Sequence, residues 1–222
     1  MRRRLISASI AALLVLAAIP ATDAVPAGLV RFRFAFGALT GAGAKPTLTA
    51  ITQDTTLKTG DRIKMLVEMQ QPGFVYVIHH GPKDEVDLLF PPDLNQSIPI
   101  GRTHYIPAGA IWLTLDDATG NETFYVLGSV ERLGGLEALL ARYNAPPPSG
   151  KAAIATSIVA EIRRLRAQHR NVTAPAERPV IIGGNVRSLD QVTGRELPDV
   201  GTIAVDVTAG DFYARTFTVT HQ

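Results

Sequence analysis

Alternating apolar and polar residues predict β-strands along most of the chain. In LVRFRFAF (29–36), Val30 and the phenylalanines occupy one face and two arginines the other, which is the period of a half-buried strand. Similar segments follow, separated by turn signals such as Pro72-Gly73. We expect further strands at 47–52, 62–69, 74–80, 86–90, 110–117, 122–130, 180–187, 201–208 and 211–221. Short strands at this spacing indicate an antiparallel sandwich or barrel.

The period of the apolar residues changes to that of a helix between 135 and 170. GLEALLARY (135–143) places its leucines on one helical face. After the proline-rich NAPPPSG, the segment 151–170 carries apolar residues at i, i+4, i+8 and i+11, which form one stripe. The residues of this stripe are Ile154, Ile158, Ile162 and Leu165. Beyond this helical insertion the chain returns to closing strands over 179–220.

These patterns predict a mainly β fold. We expect an antiparallel β-sandwich, Ig-like in style, with two helices inserted before the final strands. The segment FVYVI (74–78) is apolar on both faces, so it belongs in the middle of a sheet that is covered on both sides. With a hydrophobic composition of 46% and no cysteine, the chain can bury such a core as one domain over 25–222 without disulfides.

The first 24 residues have the features of a signal peptide. Three arginines precede the apolar stretch Leu5–Ile19, and Thr22 and Ala24 stand at the −3 and −1 positions of a cleavage site. The apolar stretch is short for a bilayer span. We therefore expect cleavage after Ala24 and a periplasmic or secreted protein without a transmembrane span. An uncleaved N-terminal anchor is the alternative.

Removal of residues 1–24 changes the charge balance. The whole chain has 22 basic and 20 acidic residues, and the signal contains three arginines and one aspartate, so the remainder is formally neutral. A neutral domain is a poor nucleic-acid binder, because such binding depends on the neutralisation of phosphates. We expect another envelope or secreted protein as the partner, and no nucleic acid.

Two adjacent histidines end the apolar strand FVYVIHH. If 81–85 forms a five-residue loop, His79 faces Asp87 across a hairpin and the two form a cross-strand pair. A second interpretation is a metal site made by His79, Asp87 and His104, because imidazole and carboxylate groups are zinc ligands. No motif such as HExxH supports this interpretation. We therefore expect no cofactor and no bound metal.

The largest local concentration of charge is expected at the end of the second predicted helix. Arg163, Arg166 and Arg170 should be solvated there, and we consider them a candidate partner-binding surface. Tyr105 and Trp112 are further candidates, because an aromatic ring with a polar tip can face a sugar or a peptide. Core packing is the alternative role for these two aromatic residues.

Several short motifs, taken in order, resemble a bacterial family known as domain of unknown function 4384. They are LKTGDRIKMLVEM, PGFVYVIHHG, VDLLFPPDLNQSIPI, YIPAG and FYVLGSVERLGGLEALL; the family-like core is 57–130, and the last motif continues to Leu140. The closing FYARTFTVTH is also similar to the family's last strand. The resemblance implies a β-rich exported accessory module, and it supplies no catalytic residues.

We interpret the sequence as that of an exported, non-enzymatic accessory or binding domain of the bacterial envelope. One alternative is a metal-assisted hydrolase that uses the hairpin end at His79 and Asp87. The other is a structural envelope assembly protein that uses its exposed helix as an interaction surface.

Overall fold

The computed structural model describes residues 28–41, 46–145, 150–169, 176–179, 187–189 and 196–222. The strands are β1 (Val30–Thr40), β2 (Thr47–Ala50), β3 (Thr55–Leu57), β4 (Arg62–Met69), β5 (Phe74–His80), β6 (Val86–Phe90), β7 (Thr103–Ile106), β8 (Leu113–Thr114), β9 (Gly120–Ser129), β10 (Ala176–Pro179), β11 (Arg187–Leu189), β12 (Glu196–Pro198), β13 (Val205–Ala209) and β14 (Phe212–His221). The helices are α1 (Gly134–Asn144) and α2 (Lys151–Gln168), and a 3₁₀ turn covers Val200–Ile203. The signal segment 1–24 lies outside the described residues, so its cleavage and the domain boundaries at 25 and 222 stay predictions.

Two sheets form the β-sandwich that the sequence predicts. The first sheet has the order β10-β13-β1-β4-β7, with β2 paired to β1 and β8 paired to β4. The second has the order β3-β14-β9-β5-β6, and β3 runs parallel to β14. The remaining pairs of these two sheets are antiparallel. The fold class is therefore confirmed, including the position of the two helices before the final strands.

The space between the two sheets is filled by aromatic rings and branched aliphatic side chains. Phe36 of β1 contacts Phe124 of β9 and Phe217 of β14 edge to face, with ring centroids 4.9 and 5.4 Å apart. Phe32 is fully buried, and its ring meets Tyr213 at 5.4 Å in the same geometry. This cluster contains the apolar face that the alternation in β1 predicts.

The helices form a third layer on the outer face of the second sheet. The side chains of β5 alternate between two clusters: Val75 and Val77 face the first sheet, whereas Tyr76 and Ile78 face the helices. This confirms the prediction that FVYVI is covered on both sides. The stripe of α2 packs into the same outer cluster, with Ile158, Ile162 and Leu165 buried and Ile154 partly buried. None of the described helices is both long and apolar enough to cross a membrane.

The chain between β12 and β13 differs from the prediction. The segment 201–208 was expected to be one strand, but Val200–Ile203 forms a 3₁₀ turn and the strand begins at Val205. The reason is local, because the Asp199 carboxylate accepts a hydrogen bond from the Gly201 N–H and caps the turn. Val200 is thereby held against the outer face of the first sheet, in a third apolar cluster.

Candidate functional site

The hairpin between β5 and β6 has the register that the sequence predicts. His79 is paired with Asp87, and 3.6 Å separates His79 Nδ1 from Asp87 Oδ2. The other ring nitrogen, Nε2, forms a hydrogen bond with Glu122 of β9, and the ring lies on Phe124 at 4.9 Å. The imidazole is thus held between two carboxylates, and the second of these comes from a strand that the sequence does not place there.

His104 does not join this cluster. It lies on β7 in the first sheet, where its ring is 5.3 Å from that of Phe90 and its Nε2 is buried without a hydrogen-bond partner in the described structure. Burial and the charge of Arg102 lower the pKa of His104. The structure therefore does not bring together the three residues of the metal hypothesis. Within the described ranges, no three His, Asp or Glu side chains are placed to hold a metal ion.

Tyr105 and Trp112 surround a buried lysine on the outer face of the first sheet. Lys64 of β4 is 3% exposed, and its ammonium lies 5.3 Å from the Tyr105 ring and 5.9 Å from the Trp112 ring. It donates hydrogen bonds to the carbonyl oxygens of Pro107 and Gly109, at 3.2 and 2.8 Å. The loop after β7 is therefore wrapped around this ammonium.

Tyr105 is partly buried and Trp112 is buried, so neither of these two rings is fully exposed. Trp112 is only 7% exposed and packs in the third apolar cluster, while the Tyr105 hydroxyl donates to Asp199 at 3.3 Å. The cation below them and the 3₁₀ turn above explain why both rings face inward. Both rings therefore cover part of the outer face of the first sheet.

We expect Lys64 to make stability depend on pH. Burial lowers the pKa of Lys64 from 10.5 to about 8, and the attraction of Asp199 opposes this shift. Between pH 8 and pH 10 the unfolded chain still binds the proton that the folded chain releases, so the free energy of unfolding rises with pH. Between pH 8 and pH 10, the free energy of unfolding of the wild-type protein should rise by about 2 kcal/mol relative to that of Lys64→Met, since one pKa unit corresponds to about 1.4 kcal/mol.

Urea denaturation of both proteins at pH 8 and pH 10 measures this difference. The comparison with Lys64→Met cancels the titration of tyrosines and other lysines. A stability difference between the two proteins that does not change with pH would show that Lys64 keeps its ordinary pKa in the folded state.

The exposed face of α2 carries the arginines that the sequence singles out. Arg163 and Arg166 are exposed, as expected, and the Arg166 guanidinium donates to the Thr216 hydroxyl of β14 at 3.0 Å. Burial raises the pKa of Tyr125, whereas the charges of Arg163 and Arg166 lower it, so both cations lie within electrostatic reach of the sheet below. Arg170, the third member of the predicted surface, lies outside the described residues.

The carboxylates of the helical layer are engaged within the protein. Glu137 of α1 accepts hydrogen bonds from the Tyr76 hydroxyl at 2.5 Å and from Arg132 Nε at 3.1 Å. Glu161 of α2 is paired with the Arg164 guanidinium at 2.5 and 2.7 Å. The acidic side chains of the two helices are thus neutralised locally, and exposed cations dominate the outer surface of this layer.

The residues that join these clusters, Lys64, Glu122 and Glu137, were not predicted from the sequence. Lys64 has a detectable signal, because a lysine inside the apolar segment RIKMLVEM is unusual in a strand that is buried on both faces. Glu122 and Glu137 have no such signal. Their partners, His79 and Tyr76, are 43 and 61 residues away in the chain.

These features define the protein as a β-sandwich with a helical layer on one sheet. Residues 56–132, about a third of the chain, match the family described as Domain of unknown function (DUF4384), so the family suspected from the motifs is confirmed over this segment. The match includes β4 to β9 and ends before α1, so it covers neither the helical layer nor the closing strand. Neither the curated proteins nor the solved structures contain a match to the chain.

Proposed function

We infer that the protein is an exported, non-enzymatic accessory domain of the bacterial envelope that binds another envelope or secreted protein. The signal-like segment at 1–24 supports the exported location. The observation that carries the binding role is the charge segregation of the helical layer. Arg163 and Arg166 are solvated on α2, while the carboxylates of both helices are bonded within the protein.

The partner that this surface would recognise carries a cluster of carboxylates. A local positive field on an otherwise balanced protein accelerates association with an acidic surface and orients it. The apolar stripe of α2 is already used in packing against the sheet, so the exposed face offers charge rather than apolar area. Such a contact should weaken as salt rises, because the Debye length is about 8 Å at physiological ionic strength.

Neutralising the arginines should reduce partner binding without unfolding the protein. We expect the Arg163→Gln, Arg166→Gln, Arg170→Gln variant to recover at least tenfold less partner from an envelope extract at low salt. Its free energy of unfolding should change by no more than about 0.5 kcal/mol per site, as for most exposed substitutions. Affinity capture followed by mass spectrometry measures the recovery, and the intact mass of the exported bait reports whether cleavage follows Ala24.

A matched control removes the same charge from the sandwich itself. Lys58, Lys83 and Arg102 are exposed and lie outside the helices. Changing these three residues to glutamine should leave recovery unchanged. Equal losses in both triple variants would mean that net charge, rather than the α2 surface, determines the binding.

A further inference from the structure

A groove opens where β6 separates from β5. Its lining includes Gly73, Phe74, Tyr76, Leu94, Ile98 and Ile100, and its volume is about 240 Å³. Pockets for drug-sized ligands begin at about 300 Å³, so this groove suits one or two side chains of a bound segment. Ile100 lines the groove and is 54% exposed, so its apolar side chain is accessible to a bound segment.

The backbone of β5 is open along this groove. β5 is paired with β9 over its whole length, from Phe74 to His80, but β6 joins it only from Val77 onward. Residues of a strand direct their N–H and C=O groups to alternate sides, so at least one residue between Phe74 and Tyr76 directs both groups into the groove. Apart from the strand ladders, the described part of the chain has no backbone–backbone hydrogen bond to Phe74, Val75 or Tyr76.

At the other end of the same hairpin, one backbone donor on the outer edge of β6 is covered. The outward-facing N–H of Val86 donates to the Tyr143 hydroxyl of α1 at 3.0 Å, which covers that position. An uncovered strand edge is a template for the addition of another strand. The N–H of Val86 is covered, whereas the backbone at the start of β5 is not. The start of β5, beside the groove, is therefore the position where another strand can be added.

The charge of the lining restricts what can enter. Glu137 is the ionisable side chain of the groove, and the Tyr76 hydroxyl and Arg132 already bond both of its carboxylate oxygens. The polar residues at the rim, Gln96 and Ser97, are neutral. An inserted charge would lose its hydration without a counter-charge, so uncharged apolar side chains complement this groove.

We propose that this groove binds an extended segment of a partner protein, which adds a strand to β5 and inserts apolar side chains between Phe74 and Ile100. Main-chain hydrogen bonds to the start of β5 provide affinity, and the groove selects every second side chain. This site lies at the β5 end of the sandwich and is independent of the arginine surface on α2. A negative result for the groove therefore does not contradict the proposal for the arginine surface, and the reverse also holds.

A library of heptapeptides displayed on phage, selected against residues 25–222, provides the probe. We expect enriched peptides to carry apolar residues at alternate positions and no charge at those positions. In a synthetic copy of one such peptide, N-methylation should lower affinity at least tenfold at the one or two backbone nitrogens that face the start of β5 and have little effect at the others. Ile100→Asp should abolish binding, whereas Ile111→Asp, at a residue that is 59% exposed elsewhere, should preserve it.

Three results would overturn the proposal. The first is an absence of peptides enriched on the wild-type protein over Ile100→Asp. The second is a peptide whose affinity is not lowered by N-methylation at any single backbone nitrogen. The third is binding that appears only after the chain is shortened to begin at Gly28, which would mean that the preceding residues of this chain fill the groove.

Discussion

Replacing Ile158 by alanine should lower the free energy of unfolding by about 2–5 kcal/mol, the range for large-to-small changes in a packed core. Ile158 is fully buried at the centre of the cluster that joins α2 to the second sheet. Alanine is the better helix former, so the loss comes from packing against the sheet and not from helix propensity. The prediction tests whether the helical layer is an integral part of the core.

Two spectroscopic signals from one urea titration show whether the helical layer unfolds together with the sheets. Far-ultraviolet circular dichroism reports on the helices, whereas Trp112, the only tryptophan of the chain, reports on the outer face of the first sheet. We expect both transitions to move together in Ile158→Ala, as in a two-state protein. Ser157→Ala, an exposed neighbour, should change stability by less than about 0.5 kcal/mol. Loss of the helical signal at lower urea than the tryptophan signal would contradict an integral layer.

Replacing Gly128 by alanine should lower the free energy of unfolding by about 1–3 kcal/mol through overpacking. A Cβ at this position of β9 would lie 2.8 Å from the Phe32 ring and 3.1 Å from Val30 Cγ1. Both neighbours are fully buried between the sheets, so neither can move aside without displacing others. Gly134→Ala is the control, because no atom lies within 4 Å of its added Cβ and it should be neutral or slightly stabilising.

A double-mutant cycle tests whether Gly128→Ala destabilises the protein through the Phe32 ring. Phe32→Leu removes the ring atom that the new methyl group meets, so Gly128→Ala should cost less in the Phe32→Leu background. We expect a favourable coupling of about 1 kcal/mol, within the range for residues in contact. Additive effects, measured by urea denaturation, would show that the alanine acts through Val30 or the β9 backbone and not through the Phe32 ring.

Features that depend on a pattern within one strand, helix or turn were predicted correctly from the sequence. The alternation in β1 identified its buried face, and the composition of FVYVI identified a strand covered on both sides. The pairing of His79 with Asp87 followed from the length of one turn. Each of these depends on residues that are close in the chain, where the geometry of one element is decisive.

Features that depend on distant pairing were not predictable. The segment 110–117 was expected to be a strand, but β8 has two residues, because Lys64 binds the carbonyls of the preceding loop and Asp116 caps the following turn. His104 belongs to the first sheet, and the residues next to it in the sequence do not indicate which of the two sheets contains it. The groove depends on the register shift between Val77 and Ile78, which only the paired strands reveal.

Site-specific photo-crosslinking tests the binding surface on α2 most directly. Ala167 is exposed on α2 one turn beyond Arg163, and Lys83 is exposed in the turn of the β5–β6 hairpin. A photoreactive residue at 167 should yield a partner adduct in intact cells. The yield should fall when Arg163 and Arg166 are changed to glutamine, and residue 83 should give no adduct. Equal adducts from both positions, or an adduct from position 83 alone, would contradict the assignment of the α2 surface as the binding site.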